Sequence, residues 1–104
     1  MSAGVVHIAS GSAWAEARTS GTYRAESLAS EGFIHFSRWD QLADTAARHY
    51  AGVPELVVLV VSPGDLPFRI ENGFPHLYDE LPVSAVTEVL PLEQALERAA
   101  ASRS

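Results

Sequence analysis

Three of the four histidines lie inside short apolar runs: His7 in Val5–Val6–His7–Ile8, His35 in Gly32–Phe33–Ile34–His35–Phe36–Ser37, and His76 in Phe74–Pro75–His76–Leu77–Tyr78. A strand with such a pattern is at least half buried, and a buried polar ring needs a hydrogen-bonding partner or a chemical task. Imidazole can donate, accept, bind a metal or change charge near neutral pH. Rings that meet in one cleft form a site; rings that do not are three separate core histidines. The competing reading of His7 is a half-buried ring bonded to a backbone carbonyl. For His35 it is a ring that braces the following helix. The expectation is that His7, His35 and His76 line one concave site. His49, on the exposed side of a helix over 38–51, is expected to lie well away from it.

The carboxylate that could work beside these rings is Glu71, at the end of a short strand Phe68–Glu71, where a solvated strand residue is the alternative. Three histidines and Glu71 also have the composition of a divalent-metal site. There is no His-x-His or His-Glu-x-x-His spacing, however, and no metal ligand is assigned. Arg24 and Arg69 either clamp a pyrophosphate or pair with the thirteen acidic residues at the surface.

These residues sit in a chain of 104 residues, the length of one domain, with 47% apolar residues and no cysteine. The lack of cysteine excludes a disulfide scaffold and fits a reducing cytoplasm. No apolar run reaches the ~18 residues of a membrane span, and no signal peptide is expected at the N-terminus. The net charge is −6, with seven arginines and no lysine. An acidic surface repels a phosphate backbone, so non-specific nucleic-acid binding is not expected, although one local anion pocket remains compatible with it. The missing lysines exclude Schiff-base chemistry and a P-loop. Nothing in the sequence specifies an oligomeric state.

The elements that must position the histidines follow from pattern. Val5–Ile8 reads as a strand. Ser10–Gly11–Ser12 is a turn that caps a helix over 13–20, stopped by Gly21. Residues 22–31 are irregular, with one helical turn at 26–29. Phe33–Phe36 reads as a second strand. Ser37 and Asp40 have N-cap-to-N3 spacing ahead of Trp39, Leu42, Ala43, Ala46 and Tyr50 at helical intervals, and Gly52–Val53–Pro54 ends that helix. Leu56–Val61 is a continuous β-branched run, a central strand covered on both faces. Asn72–Gly73 is a hairpin turn. His76–Tyr78 and Val83–Leu90 read as strands, and Pro91 opens a helix over 91–101. Trp14, Phe33 and Trp39 read as core. Strands that follow one another without crossovers argue for an α+β fold.

The motifs His7–Ile8, Trp14, Gly21–Thr22–Tyr23 with Ser27–Leu28, Glu31–Gly32–Phe33–Ile34–His35 with Ser37 and Gln41, and Phe74–Pro75–His76–Leu77–Tyr78 resemble the DUF952 family. The likeness runs from about Val6 to Leu92. Phe36 stands where that family commonly has Cys, and Asp79 where it has Gly. The family resembles a small ADP-ribosyltransferase-like fold, and its motif order is similar to the RNA 2′-phosphotransferases of that fold. The resemblance implies a single domain over 1–104, with a core over 5–92 and an ADP-ribosyltransferase-like split β-sheet flanked by helices. It implies His7 as a ribose-binding residue and His35 and Glu71 as catalytic residues. Tyr23 or Tyr78 would stack on a base or nicotinamide, and Ser27, Ser37 and His76 join them in ligand binding. NAD is the cofactor it suggests. The implied partner is a nucleotide-like or phosphate-bearing small molecule, handled by a transferase or hydrolase. A non-catalytic binding or sensor module and a metal-dependent enzyme are the alternatives.

Overall fold

A computed structural model describes residues 4–102 of the chain. Its centre is the run Leu56–Val61 (β4), whose β-branched residues suit a strand buried on both faces. It pairs antiparallel with Val5–Ser10 (β1) on one side and Val86–Pro91 (β8) on the other. Alternation along β1 and β4 separates two cores. Val5 and Ala9 join Leu59 and Val61 in one, under the helix Gly11–Ser20 (α1). Val6 and Ile8 join Val58 and Val60 in the other. The helices Leu42–His49 (α3) and Leu92–Ser102 (α4) supply Leu42, Ala46, Ala95 and Ala99 to this second core. The short strand Thr22–Tyr23 (β2) follows α1 and pairs with Leu81–Pro82 (β7), and the helix Glu26–Glu31 (α2) leads on to the next strand.

A second three-stranded sheet has the order Ile34–His35 (β3), Phe74–Leu77 (β6) and Phe68–Glu71 (β5). The β5–β6 hairpin turns on Asn72 and Gly73, both at positive φ, as a two-residue turn of matching twist requires. The two large sheets meet at one residue pair. Val6 and Ser37 exchange backbone hydrogen bonds of 2.8 Å each. Beyond that pair β3 leaves β1, and the edge of β1 is open.

The chain is thus a small α+β domain, with a Cα radius of gyration of 12.8 Å, close to the ~13 Å of a 100-residue domain. Several element boundaries differ from those the sequence suggests. Ser10 is the N-cap of α1, accepting from the Ala13 N–H at 3.1 Å, but β1 runs up to it and the helix begins at Gly11. The strand around His35 is only Ile34–His35, and β6 begins at Phe74. Ser37 does not cap the next helix, because its backbone is committed to Val6. Its hydroxyl instead lies 3.1 Å from that of Thr45. The helical start moves one residue on: Arg38 N–H donates to Gln41 Oε1 at 2.8 Å, and a 3-10 turn over Trp39–Gln41 precedes α3. The stretch Val83–Leu90 is broken by a 3-10 turn at Val83–Ala85, and Pro91 ends β8 rather than opening α4. Trp14 and Trp39 are half-buried at the margins of the two cores. The Arg98 guanidinium lies 5.9 Å from the centre of the Trp39 ring.

Candidate functional site

The cleft opens where the two sheets part. Val6 turns both its N–H and C=O toward Ser37. Antiparallel alternation then turns the N–H and C=O of Ile8 to the same edge, and among the described residues no strand pairs with that edge there. Had the ladder continued, the His35 carbonyl would meet the Ile8 N–H. Instead it accepts from Nδ1 of His7 at 2.6 Å. The His7 imidazole therefore stands in for a missing ladder bond and spans the parting sheets.

That contact fixes the chemistry of His7. A carbonyl can only accept, so Nδ1 carries the hydrogen and Nε2 must accept. Its partner is the Tyr23 hydroxyl at 2.7 Å. Burial lowers the His7 pKa from 6.5 to about 4, outweighing the opposite effect of the hydrogen bond to the His35 carbonyl. Burial also raises the Tyr23 hydroxyl pKa, with a further contribution from Tyr50. His7 is thus a neutral ring with both nitrogens engaged, packed 5.3 Å from the Phe36 ring.

Around this wedge lies a cavity of about 680 Å³, within the ~300–1,000 Å³ of small-molecule sites. One wall is Val6, His7 and Ile8 of β1 with His35, Phe36 and Ser37. A second is the hairpin, through Glu71, Asn72, Phe74 and His76. The third is α3, through Asp44, Thr45, Arg48 and His49, with Tyr50 at its end. His7, His35 and His76 therefore share one cavity.

His35 and His76 are cross-strand neighbours on β3 and β6, their rings tilted to one another with centres 5.5 Å apart. His35 is exposed, and its Nε2 lies 3.3 Å from the Glu31 carboxylate. His76 is buried, and its Nδ1 donates to the Phe74 carbonyl at 2.8 Å. Phe33 packs edge-on against both, 4.8 Å from His35 and 4.4 Å from His76. Tyr78 lies beyond it, its ring tilted and centred 5.4 Å from that of Phe33, and donates its hydroxyl to Glu71. That hydrogen bond raises the Tyr78 pKa. The turn holding Asn72 is pinned by Arg38 and Gln41, which donate to the Gly73 carbonyl at 3.0 and 2.7 Å.

Of the residues expected in the site, His7, His35, Ser37, Glu71 and His76 line the cavity. Tyr23 stands behind His7, and Tyr78 touches the rim through Glu71. Ser27 lies elsewhere: its hydroxyl donates to the Phe33 carbonyl at 2.7 Å and braces the loop after α2. His49 is exposed, as expected, but it lines the cavity rather than lying away from it. Neither Arg24 nor Arg69 lines the cavity, although Arg69 pairs with His76 across β5 and β6. Arg24 pairs with Glu80 at 2.7 Å, and Arg69 lies over the Tyr78 ring at 5.7 Å. The α3 wall was not anticipated, although Asp44, Thr45 and Arg48 recur at the spacing of one helix face. Among the described residues no three His, Asp or Glu side chains are grouped to hold a metal, and no helix is long and apolar enough to cross a membrane.

Comparison with known proteins gives a consistent picture. Residues 8–89 match the model of a family described as "Protein of unknown function (DUF952)". Solved structures of CC0527 from Caulobacter crescentus are similar to this chain at 33% identity. The crystal structure has a TM-score of 0.75, covering 85% of this chain and 84% of that one. A double mutant of CC0527 gives 0.76 over the same shares. The solution structure gives 0.71 over 85% and 83%. No curated protein matches the chain.

Proposed function

The chain belongs to the DUF952 family, and on that premise we propose that its cleft binds a nucleotide-like, phosphate-bearing small molecule and acts on NAD or an ADP-ribose-like group as a transferase or hydrolase. The observation that carries this reading is the convergence of His7, His35, His76 and Glu71 on one cavity of about 680 Å³. The fold behind it is an ADP-ribosyltransferase-like split sheet, a reading supported by two three-stranded sheets that meet at Val6–Ser37 and then part.

In this account the split is the binding slot. The open edge at Ile8 offers a backbone donor and acceptor side by side, the pattern a primary carboxamide complements. Glycosyl transfer from NAD builds positive charge at the ribosyl carbon, and a preorganised carboxylate stabilises it. Glu71 is the catalytic carboxylate in this scheme, its second oxygen oriented by Tyr78. His35, on the other outer strand of the same sheet, is its catalytic partner. His7, held by Tyr23, sets the width of the opening beside the ribose, and Ser37 and His76 complete the ligand contacts. Arg48 and His49, on the α3 wall, face the phosphate-bearing end. The net charge of −6 supports a small-molecule partner over nucleic acid, and the cysteine-free composition supports a cytoplasmic setting.

One observation favours a second reading. His7 has both nitrogens engaged within the protein and Glu71 is bonded to Tyr78, an arrangement that also suits a binding or sensor module without chemistry. NAD consumption by the purified protein separates the two. Release of nicotinamide supports the enzyme. Saturable binding of NAD or ADP-ribose with no nicotinamide released supports the module.

A further inference from the structure

Deepening the reading of this cleft as a ligand site, we propose that its His76 end recognises an uncharged hydrogen-bond donor of the ligand, a hydroxyl or an amide N–H, and not a phosphate oxygen. The polarity of His76 is set by its backbone. Nδ1 lies 2.8 Å from the Phe74 carbonyl, which can only accept, so the neutral ring carries its hydrogen on Nδ1 and its lone pair on Nε2. The residue is only 6% exposed, yet no side-chain polar atom among the described residues is sealed away without a partner. Nε2 has no partner among the described residues, so the remaining accessible surface must include it, and the open space beside His76 is the cleft. A bare acceptor on a buried ring is complementary to a donor.

The surroundings point the same way. The Glu71 carboxylate on the same hairpin adds acceptor oxygens, and His35, the cross-strand partner of His76 on β3, has its ring centre 5.5 Å away. Arg48 is on the opposite wall and its guanidinium is 2.9 Å from Asp44. A phosphate placed against His76 would set acceptor against acceptor beside a carboxylate. A ribose hydroxyl or a carboxamide would not. The ligand therefore enters with its neutral, donor-bearing part toward His76 and its charged part toward α3.

Long-range proton–nitrogen NMR of the imidazoles tests this on the intact protein, with adenosine, nicotinamide, ADP-ribose and inorganic phosphate as probes. In alkaline buffer, where imidazoles are neutral, the free protein is expected to show His76 as the Nδ1–H tautomer with its lone pair on Nε2. ADP-ribose, and adenosine or nicotinamide according to which donor is used, should move the Nε2 resonance toward that of a hydrogen-bonded acceptor, while phosphate leaves it in place. His76→Phe, which keeps the ring packed on Phe33, should lower ADP-ribose affinity about tenfold or more. An Nε2–H form of His76, or a shift of its Nε2 with phosphate alone, overturns the inference. So does ADP-ribose binding with Nε2 unmoved, although the ligand reading of the cleft then stands. If none of the four probes binds, both fall.

Discussion

The His7 ring and the Tyr23 hydroxyl meet at 2.7 Å inside the core, at the point where the two sheets separate. Tyr23 is carried by β2, outside both large sheets, so a third segment of chain fixes the ring that spans the split. The tautomer follows from the His35 carbonyl on the other nitrogen, and the low pKa follows mainly from burial.

That buried neutral ring makes stability depend on pH. Below its ordinary pKa of 6.5 the unfolded chain takes up a proton that folded His7 refuses until about pH 4. Stability from this group is complete above pH 6.5 and is lost as pH falls toward 4. Between pH 7.5 and 5 the loss is roughly 2 kcal/mol by linkage. Urea melts at the two pH values should show this drop in wild type and a smaller one in His7→Asn, which no longer titrates there. Equal drops in the two proteins would mean that His7 is protonated in the folded state.

Ser37→Ala acts through Thr45 rather than through a helix cap. Its hydroxyl lies 3.1 Å from the Thr45 hydroxyl in a buried setting. Losing one such bond costs about 1 kcal/mol. Thermal melts of Ser37→Ala, Thr45→Val and the double variant should give a double loss smaller than the sum of the single losses. Strict additivity would show that the two hydroxyls do not share a bond.

Gln41 reaches the hairpin that forms one wall of the cleft. Gln41→Leu removes the 2.7 Å bond to the Gly73 carbonyl, leaving Arg38 as its side-chain donor, and also removes the 2.8 Å acceptor of the Arg38 N–H at the helix start. Amide hydrogen exchange at residues 71–74 should quicken severalfold, with global stability lowered by roughly 1 kcal/mol. Unchanged exchange there would make the clamp incidental.

Glu71→Gln keeps shape and removes charge. If the cleft turns NAD over, this variant should bind with nearly wild-type affinity and lose ~10²-fold or more in turnover, the scale of one preorganised electrostatic group. A fully active variant would remove Glu71 from the mechanism.

The parts of this architecture legible in the sequence are those with a local cause. The β-branched runs at Val5–Ile8 and Leu56–Val61 and the Asn72–Gly73 turn carry their own signals, and each forms the expected element. The histidines stand out because a polar ring in an apolar run needs a reason. Ser37 deceived because Ser followed by Asp three residues on fits a cap, while its competing partner, Val6, lies 31 positions away in the chain. Phe33 reads as core, yet Gly32 in a left-handed conformation ends α2 ahead of it, and Phe33 packs edge-on between His35 and His76. The α3 wall was invisible for the same reason. Asp44, Thr45, Arg48 and His49 look like a solvated helix face until tertiary packing brings the hairpin opposite them.

The central claim, that the parting of the sheets is a ligand site built around the histidines, is tested most directly by calorimetric titration of ADP-ribose and NAD into wild type and into the double variant His35→Ala with His76→Phe. A thermal melt and circular dichroism of the double variant serve as the folding control. Wild type should bind at least one of the two ligands with a stoichiometry of about one, and the folded double variant should bind it tenfold or more weakly. No binding to wild type, or equal binding to the folded double variant, would contradict the account.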